Sequence, residues 1–323
     1  MEAAAQAAVH RGVWQTDGSR HTVGQQVTEE NARQSPLLVA PREGRSTLRV
    51  AYLFSGVRRK ASIAQELKVL CEEAGIGLEV TEVDILIGGS EHDLLDRQAQ
   101  EALLAQIGAG DFDVLILSPP CGSWSRANFS DKPGPKPCRN RQHPWGLPGL
   151  LPGQQSRADK GNKFIHFSIR AIVSAQDCKR RGRRVMSLLE HPEDLGRTPN
   201  GVPASIWQLP NLRTAFAEFP SVTAAGYQCQ FPGVDRPKPT RLFSDILTFE
   251  DFGYVGWPTF DARDKSIGPL PYDCGHASHE QQMIGELPGG GFATSSTAAY
   301  PQGMCKFIAR HIFMDFMLNG RGK

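Results

Sequence analysis

From Leu48 onward, short unbroken apolar runs alternate with stretches in which apolar residues recur every third or fourth position. That alternation marks βαβ units, whose strands are covered on both faces and whose helices bury one stripe. Leu48 to Phe54 reads as a first strand, and Ser62 to Ala74 as a helix with Ile63, Leu67, Leu70 and Cys71 on one face. A strand over Leu78 to Val83, a helix over Leu94 to Ile107 and a strand over Val114 to Leu117 follow. Residues 126 to 160 are rich in proline, glycine and basic side chains and read as a long loop. Beyond it, Phe164 to Cys178 reads as a helix, Val185 to Leu189 as a strand and 205 to 219 as a short helical stretch. Tyr227 to Phe231 and Arg241 to Leu247 read as further strands. A last helix runs from Tyr300 to Leu318, with Met304, Phe307, Ile308, Ile312 and Phe316 in its stripe. The expected fold is α/β: a mostly parallel, twisted sheet of about six or seven strands with helices on both faces.

Four segments result. Residues 1–45, rich in Ala, Gln, Arg, Thr and Ser, read as a disordered extension. Residues 46–248 form the α/β core, 249–292 a small loop-rich region, and 293–323 a C-terminal helix that completes the core. A hydrophobic fraction of 40% and a charged fraction of 22% describe an ordinary soluble protein. The sequence has no apolar run near the about 20 residues of a membrane span and no signal-peptide pattern, so an intracellular, cytoplasmic or nuclear location is expected. Seven cysteines without paired spacing fit reduced thiols better than a disulfide framework.

The segment Asp113-Val-Leu-Ile-Leu-Ser118-Pro119-Pro120-Cys121 is the most informative piece of chemistry. Its apolar strand stops at two prolines, which cannot donate ladder hydrogen bonds, and presents a thiol at its carboxyl end. Open α/β sheets bind ligands at that edge. Cysteine is also a common buried, inert residue; the Pro-Pro context after a buried strand favours a site. Glu190, in Glu190-His191-Pro192, lands an acid at another strand end. A net charge of +2 does not by itself select a polyanionic partner. The runs Lys132–Arg141 and Lys179–Arg184 suit either phosphates or solvated loops. Cys274-Gly275-His276-Ala277-Ser278-His279 invites a zinc reading, but a fourth ligand is not evident and the spacing matches no common site. No metal is assigned.

Taken in chain order, these residues resemble the motifs of the DNA cytosine 5-methyltransferase family, over about 48 to 315, in a divergent and compact form like phage or retroelement-associated variants. Leu53-Phe54-Ser55-Gly56 is similar to its first-strand cofactor motif, Glu82-Val83-Asp84 to its acidic ribose-binding motif, and Asp93-Leu94 to the aspartate that meets the adenine. Ser118-Pro119-Pro120-Cys121 resembles the nucleophile loop, Glu190-His191-Pro192 the glutamate motif, Lys238-Pro239-Thr240-Arg241 the arginine motif, and Thr297-Ala298-Ala299-Tyr300-Pro301 the final motif. Two departures stand out: Ala51-Tyr52 precedes Leu53 in place of the usual aspartate, and Val57-Arg58-Arg59-Lys60 replaces the usual glycines after Gly56. Side chains there oppose close approach of backbone to a cofactor.

The resemblance implies a Rossmann-like fold, S-adenosylmethionine as cofactor, and methyl transfer to carbon 5 of cytosine in DNA, single-stranded or with the base flipped from the duplex. It implies Cys121 as nucleophile, Glu190 as the acid facing ring nitrogen 3, and Arg241 as the residue that holds the base's carbonyl and orients Glu190. Phe54, Ser55, Gly56, Glu82, Asp84, Asp93, Ser118, Pro119 and Pro120 would face the cofactor. The chain would act as a monomer, with its target recognition in residues 246–292. Two other readings stay open. One is a degenerate module of a mobile element that binds nucleic acid or protein without catalysis. The other, methylation of an exocyclic amine, conflicts with Cys121 standing where such enzymes usually place an aromatic residue.

Overall fold

A computed structural model describes residues 47–280, 283–286, 290, 292–293 and 297–319. The expected extension over 1–45 lies outside the described residues. Strands β1 (Thr47–Leu53), β2 (Gly77–Val83), β3 (Val114–Leu117), β4 (Met186–Pro192), β5 (Val222–Tyr227), β6 (Pro239–Ser244) and β7 (Tyr254–Val255) form one sheet in the order β2-β1-β3-β4-β6-β5-β7. Strands β2, β1, β3 and β4 pair in parallel, while β6 inserts antiparallel between β4 and β5, and β7 pairs antiparallel with β5. Five of these strands therefore share one direction. The fold is α/β with a mixed, mostly parallel sheet, compatible with a Rossmann-like arrangement.

The apolar alternation explains the layers. Ala51, Leu53, Leu115, Leu117, Leu189 and Phe243 point to one face, covered by α3 (Arg97–Ala109), α4 (Pro152–Arg180) and α5 (Pro210–Ala215). Val50, Tyr52, Val114, Ile116, Leu188 and Leu242 point to the other, covered by α1 (Ile63–Glu73) and α6 (Gln302–Asn319). A one-turn helix, α2 (Ile85–Gly88), follows β2. Polar caps fix the helix starts: Ser62 Oγ accepts the Gln65 N–H and Asp96 accepts the Ala99 N–H. No helix among the described residues is long and apolar enough to cross a membrane.

Two elements differ from expectation. Helix α4 is 29 residues long and begins at Pro152, inside the region expected as loop. Pro152 suits the first helical position, the Gln154 side chain accepts the Leu151 N–H, and Ala158 and Gly161 bury this polar turn. Strand β5 occupies Val222–Tyr227 instead of Tyr227–Phe231; residues 228–230 form a single 3-10 turn. Within the 249–292 region, β7 joins the main sheet, and the hairpin of β8 (Thr259–Phe260) and β9 (Ser266–Gly268) follows it.

Candidate active site

Because β1, β3 and β4 run in parallel, the residues after each emerge on one edge. The antiparallel β6 begins at that edge, so Lys238 arrives there too: Pro192 pairs with Thr240, one step from the strand start. Phe54–Gly56, Ser118–Cys121, Glu190 and Lys238 are thus brought to one place by topology alone.

Cys121 is half-buried at this edge. Burial pushes its thiol up, the Lys238 ammonium pulls it down, and the Glu190 carboxylate adds to the rise. Downstream, the loop is held rigidly. The Arg139 guanidinium, 1% exposed, donates to Pro144 O at 2.6 Å, Asn162 Oδ1 at 2.7 Å, Ser123 Oγ at 3.0 Å and Ala158 O at 2.8 Å, and lies 3.9 Å above the Trp124 ring.

Glu190 is buried, and its two oxygens differ. Oε2 accepts the Tyr300 hydroxyl proton at 2.6 Å, whereas Oε1 is buried with no hydrogen-bond partner among the described residues. Tyr300 Oη also lies 2.7 Å from Ser118 Oγ. A phenol has one proton, so Tyr300 donates to the carboxylate and Ser118 donates to Tyr300. Burial and the neighbouring Glu190 raise the Tyr300 hydroxyl well above its usual value, which keeps it a donor. Tyr300 thus carries the orientation of Glu190.

Arg241 does not, and the expectation that it orients Glu190 is corrected by register. Residues paired across strands share a face; Arg241 pairs with His191, while Glu190 pairs with Leu242. Arg241 therefore lies on the opposite side of the sheet from Glu190. Fully buried, it donates through Nε to Glu193 Oε1 at 3.1 Å and through Nη1 to Thr223 Oγ1 at 2.8 Å, with further bonds to Glu193 Oε2 and Gly256 O. His191, beside it, is buried with Nε2 unpartnered among the described residues. Burial, with Lys238 and Arg139 nearby, pushes its imidazole down to about 3, so it is neutral at ordinary pH. His191 and Trp124 also border a cavity of about 20 Å³, room for one water.

The residues expected to face a cofactor follow β1 and β2. Phe54 has φ 60°, a left-handed backbone that is a real outlier for a bulky residue and occurs mostly where function demands it. Its ring packs edge-on against Phe164 and Phe167, at 5.3 and 6.3 Å between centroids, so only its backbone is left for a ligand. Ser55 is buried, and the Gly56 N–H donates to Asp84 Oδ2 at 2.9 Å. A Cβ on Gly56 would meet nothing within 4 Å, so the turn faces open space. Asp84 also accepts the Leu86 N–H at 2.9 Å, capping α2. Glu82 Oε2 accepts from Arg58 Nε at 3.1 Å, and Asp93 Oδ1 from the Leu95 N–H at 2.9 Å. Pro119 is buried and Pro120 exposed. Apolar Val57, Ile85 and Leu86 are exposed beside these acids.

Several residues of the basic runs hold the fold, while Lys132 and Lys136 are exposed. Arg141 pairs with Asp194 and Asp264 at 3.0 and 2.8 Å. Lys179 pairs with Asp245, Arg180 with Glu218 at 2.5 Å and Arg184 with Asp315 at 2.8 Å, all around the amino end of β4, the edge away from Cys121. Sequence reasoning missed Lys238 and Tyr300 as individual residues, although both lie in motifs it singled out. Comparison of the chain with protein-family models, with curated proteins and with solved structures finds no match.

Proposed function

We propose that the protein is an S-adenosylmethionine-dependent methyltransferase that modifies carbon 5 of cytosine in DNA through a covalent bond to Cys121. The observation that carries this reading is the meeting, at one strand edge, of a thiol with a buried carboxylate whose Oε1 has no partner among the described residues. Leaving a buried acceptor unsatisfied costs about 1–3 kcal/mol, more for a charge, and a ligand that donates to it removes that cost. The amidine edge of cytosine, with donors at its exocyclic amine and at a protonated nitrogen 3, is such a ligand. The order of strands, with one reversed strand inserted next to the last parallel ones, also suits a methyltransferase version of the Rossmann-like fold.

Residues for the cofactor fit by type: a strained turn open at Gly56, Glu82 with Oε1 not engaged by the described residues, and exposed apolar side chains at Val57, Ile85 and Leu86 suited to an adenine ring. Once bound, S-adenosylmethionine supplies an electrophilic methyl group on a sulfonium. The chain's residues prepare the acceptor. The Cys121 thiol loses its proton to solvent with Lys238 stabilising the thiolate, and its sulfur bonds to carbon 6. The ring's π electrons shift toward nitrogen 3, which takes a proton from solvent, and the Glu190 carboxylate, held by Tyr300, accepts the hydrogen bond of that N–H through Oε1. Carbon 5, now electron-rich, takes the methyl group. Loss of the carbon 5 proton to solvent then restores the double bond and expels the Cys121 thiolate, and nitrogen 3 returns its proton to solvent. In this reading Arg241 stabilises the fold, and Lys238 provides the positive charge.

The test is calorimetric titration of the folded chain with S-adenosylmethionine and S-adenosylhomocysteine, followed by incubation with DNA containing 5-fluorocytosine. Fluorine cannot leave as a proton, so the adduct with Cys121 persists. Micromolar cofactor binding that weakens in Glu82→Ala and Asp93→Ala, with a DNA adduct absent in Cys121→Ala, is expected. A folded chain that binds no cofactor at millimolar concentration refutes the enzyme and favours a module that binds without catalysis, to which the side chains at 57–60 already point.

A further inference from the structure

We propose that Cys229, Cys274, His276 and His279 form a structural zinc site that fastens the 271–280 loop to the end of β5. One ligand-capable atom from each of the four residues lies within 4.8 Å of the others. With bonds of about 2.3 Å to sulfur and about 2.0 Å to nitrogen, tetrahedral zinc places its ligand atoms roughly 3.3–3.8 Å apart, so the cluster needs to close by only about 1 Å. Folding supplies the fourth ligand that the local spacing lacks: Cys229 comes from the turn after β5, far upstream of Cys274.

A second observation points to the metal. His279 Nε2 lies 3.0 Å from Cys274 Sγ, and its Nδ1 lies 2.9 Å from Asp235 Oδ1. A carboxylate behind one ring nitrogen fixes the tautomer and aims the lone pair of the other, which is the usual support of a metal-bound histidine. Asp235 is itself positioned, accepting the Glu280 N–H at 2.5 Å. The donor set, two thiols and two imidazoles with no open position, suits zinc in a structural role.

The loop has need of a fastener. Residues 271–280 form no helix or strand, and the buried apolar residues beneath them, Leu195, Ala225, Tyr227, Cys229 and Leu270, make a small cluster. The Tyr227 hydroxyl supplies one tie, 2.8 Å from Pro271 O and 2.6 Å from Tyr272 O. The metal would supply the stronger one. It would also fix the connector from Cys229 through Asp235 to Lys238, and the loop whose Tyr272 hydroxyl accepts from Arg126 at 2.9 Å, just past the nucleophile. On binding, the two thiols release their protons to solvent and zinc stays divalent, so no oxidant is needed. The inference does not depend on the proposed reaction.

The test measures zinc in the desalted full chain by mass spectrometry and titrates chelator-stripped protein with Co²⁺. The expected result is one metal per chain and the visible bands of tetrahedral cobalt with thiolate charge transfer. Both are lost in Cys229→Ser and Cys274→Ser and kept in Cys71→Ser. Asp235→Asn retains the metal with affinity lowered about 10–100-fold. If the serine variants do not fold, the wild-type cobalt spectrum and the Asp235→Asn affinity decide. A folded wild-type chain that takes up neither metal, or peptide mapping that finds a Cys229–Cys274 disulfide, overturns the site.

Discussion

Replacing Arg241 by methionine separates a structural role from a catalytic one. The side chains of Arg241 and Glu193 are 0% and 1% exposed, so the pair is cut off from water. Methionine fills much of the volume but leaves the Glu193 carboxylate without its cation, and Thr223 Oγ1 and Gly256 O without the guanidinium donor. Breaking a buried pair by removing one partner costs about 3–5 kcal/mol. At roughly 2 °C per kcal/mol for a chain of this size, the melting temperature should fall by about 6–10 °C. The double variant Arg241→Met with Glu193→Leu removes the stranded charge and should recover most of that loss, since a buried pair exchanged for apolar side chains is often neutral. Thermal and urea unfolding followed by circular dichroism measure both. If Arg241 instead held a substrate carbonyl, the single variant would melt within about 1 kcal/mol of wild type and the second substitution would rescue nothing; that pattern refutes the assignment made from register.

Two further outcomes follow from the charges. Lys238→Met should move the pH midpoint of Cys121 alkylation upward and slow labelling near neutrality, read by peptide mass spectrometry with iodoacetamide; an unchanged or lower midpoint would remove Lys238 from the site. His311, packed against Phe249 and Phe307 in the α6 face, is held down to about 4 by burial. The unfolded chain binds a proton there below about pH 6.5 while the folded chain does so only near 4, so stability falls as pH drops through that window. Between pH 7 and 5 the loss from this group is about 2 kcal/mol, and His311→Phe should flatten the urea midpoint over that range by a corresponding amount. A slope unchanged by the substitution would show that His311 is not a buried neutral imidazole.

Much of the sheet was legible because its strands are buried on both faces: Val114–Leu117 matches its expected bounds, and β1, β2, α1 and α6 differ only at their ends. What was not legible depends on contacts between distant segments. The first turns of α4 carry a polar sequence with Gly153 and Gly161; they are helical because Gly161 lets the chain close on Ser123, Trp124 and Arg139, where a Cβ would lie 2.2 Å from Ser123 Oγ. Strand β5, Val222–Tyr227, is built of small residues that give a weak local signal but fit between β6 and β7. For the site, Cys121 could be placed past the end of β3 from pattern alone; Glu190, expected just past a strand ending at Leu189, lies inside β4, which runs on to Pro192. The face taken by Arg241 could not be placed, because one step of register between β4 and β6 decides whether residue 241 or residue 242 stands beside Glu190.

That register also bears on the choice between an enzyme and a module that has lost its chemistry. On the α4 side of the sheet the buried acids after β4 are satisfied: Glu193 by Arg241, Asp194 by Arg141, by Gln208 at 3.1 Å and by the Gly196 N–H at 2.9 Å. At Glu190, a tyrosine occupies one oxygen, and the other has no hydrogen-bond partner among the described residues. A scaffold selected for stability alone gains from replacing such a carboxylate with an apolar or amide side chain, because an unpaired buried acceptor is a standing cost. The chain bears that cost at Glu190, where a thiol and a lysine also stand. That grouping of acid, thiol and lysine is what the proposed enzyme would use and what the Glu82→Ala, Asp93→Ala and Cys121→Ala tests address.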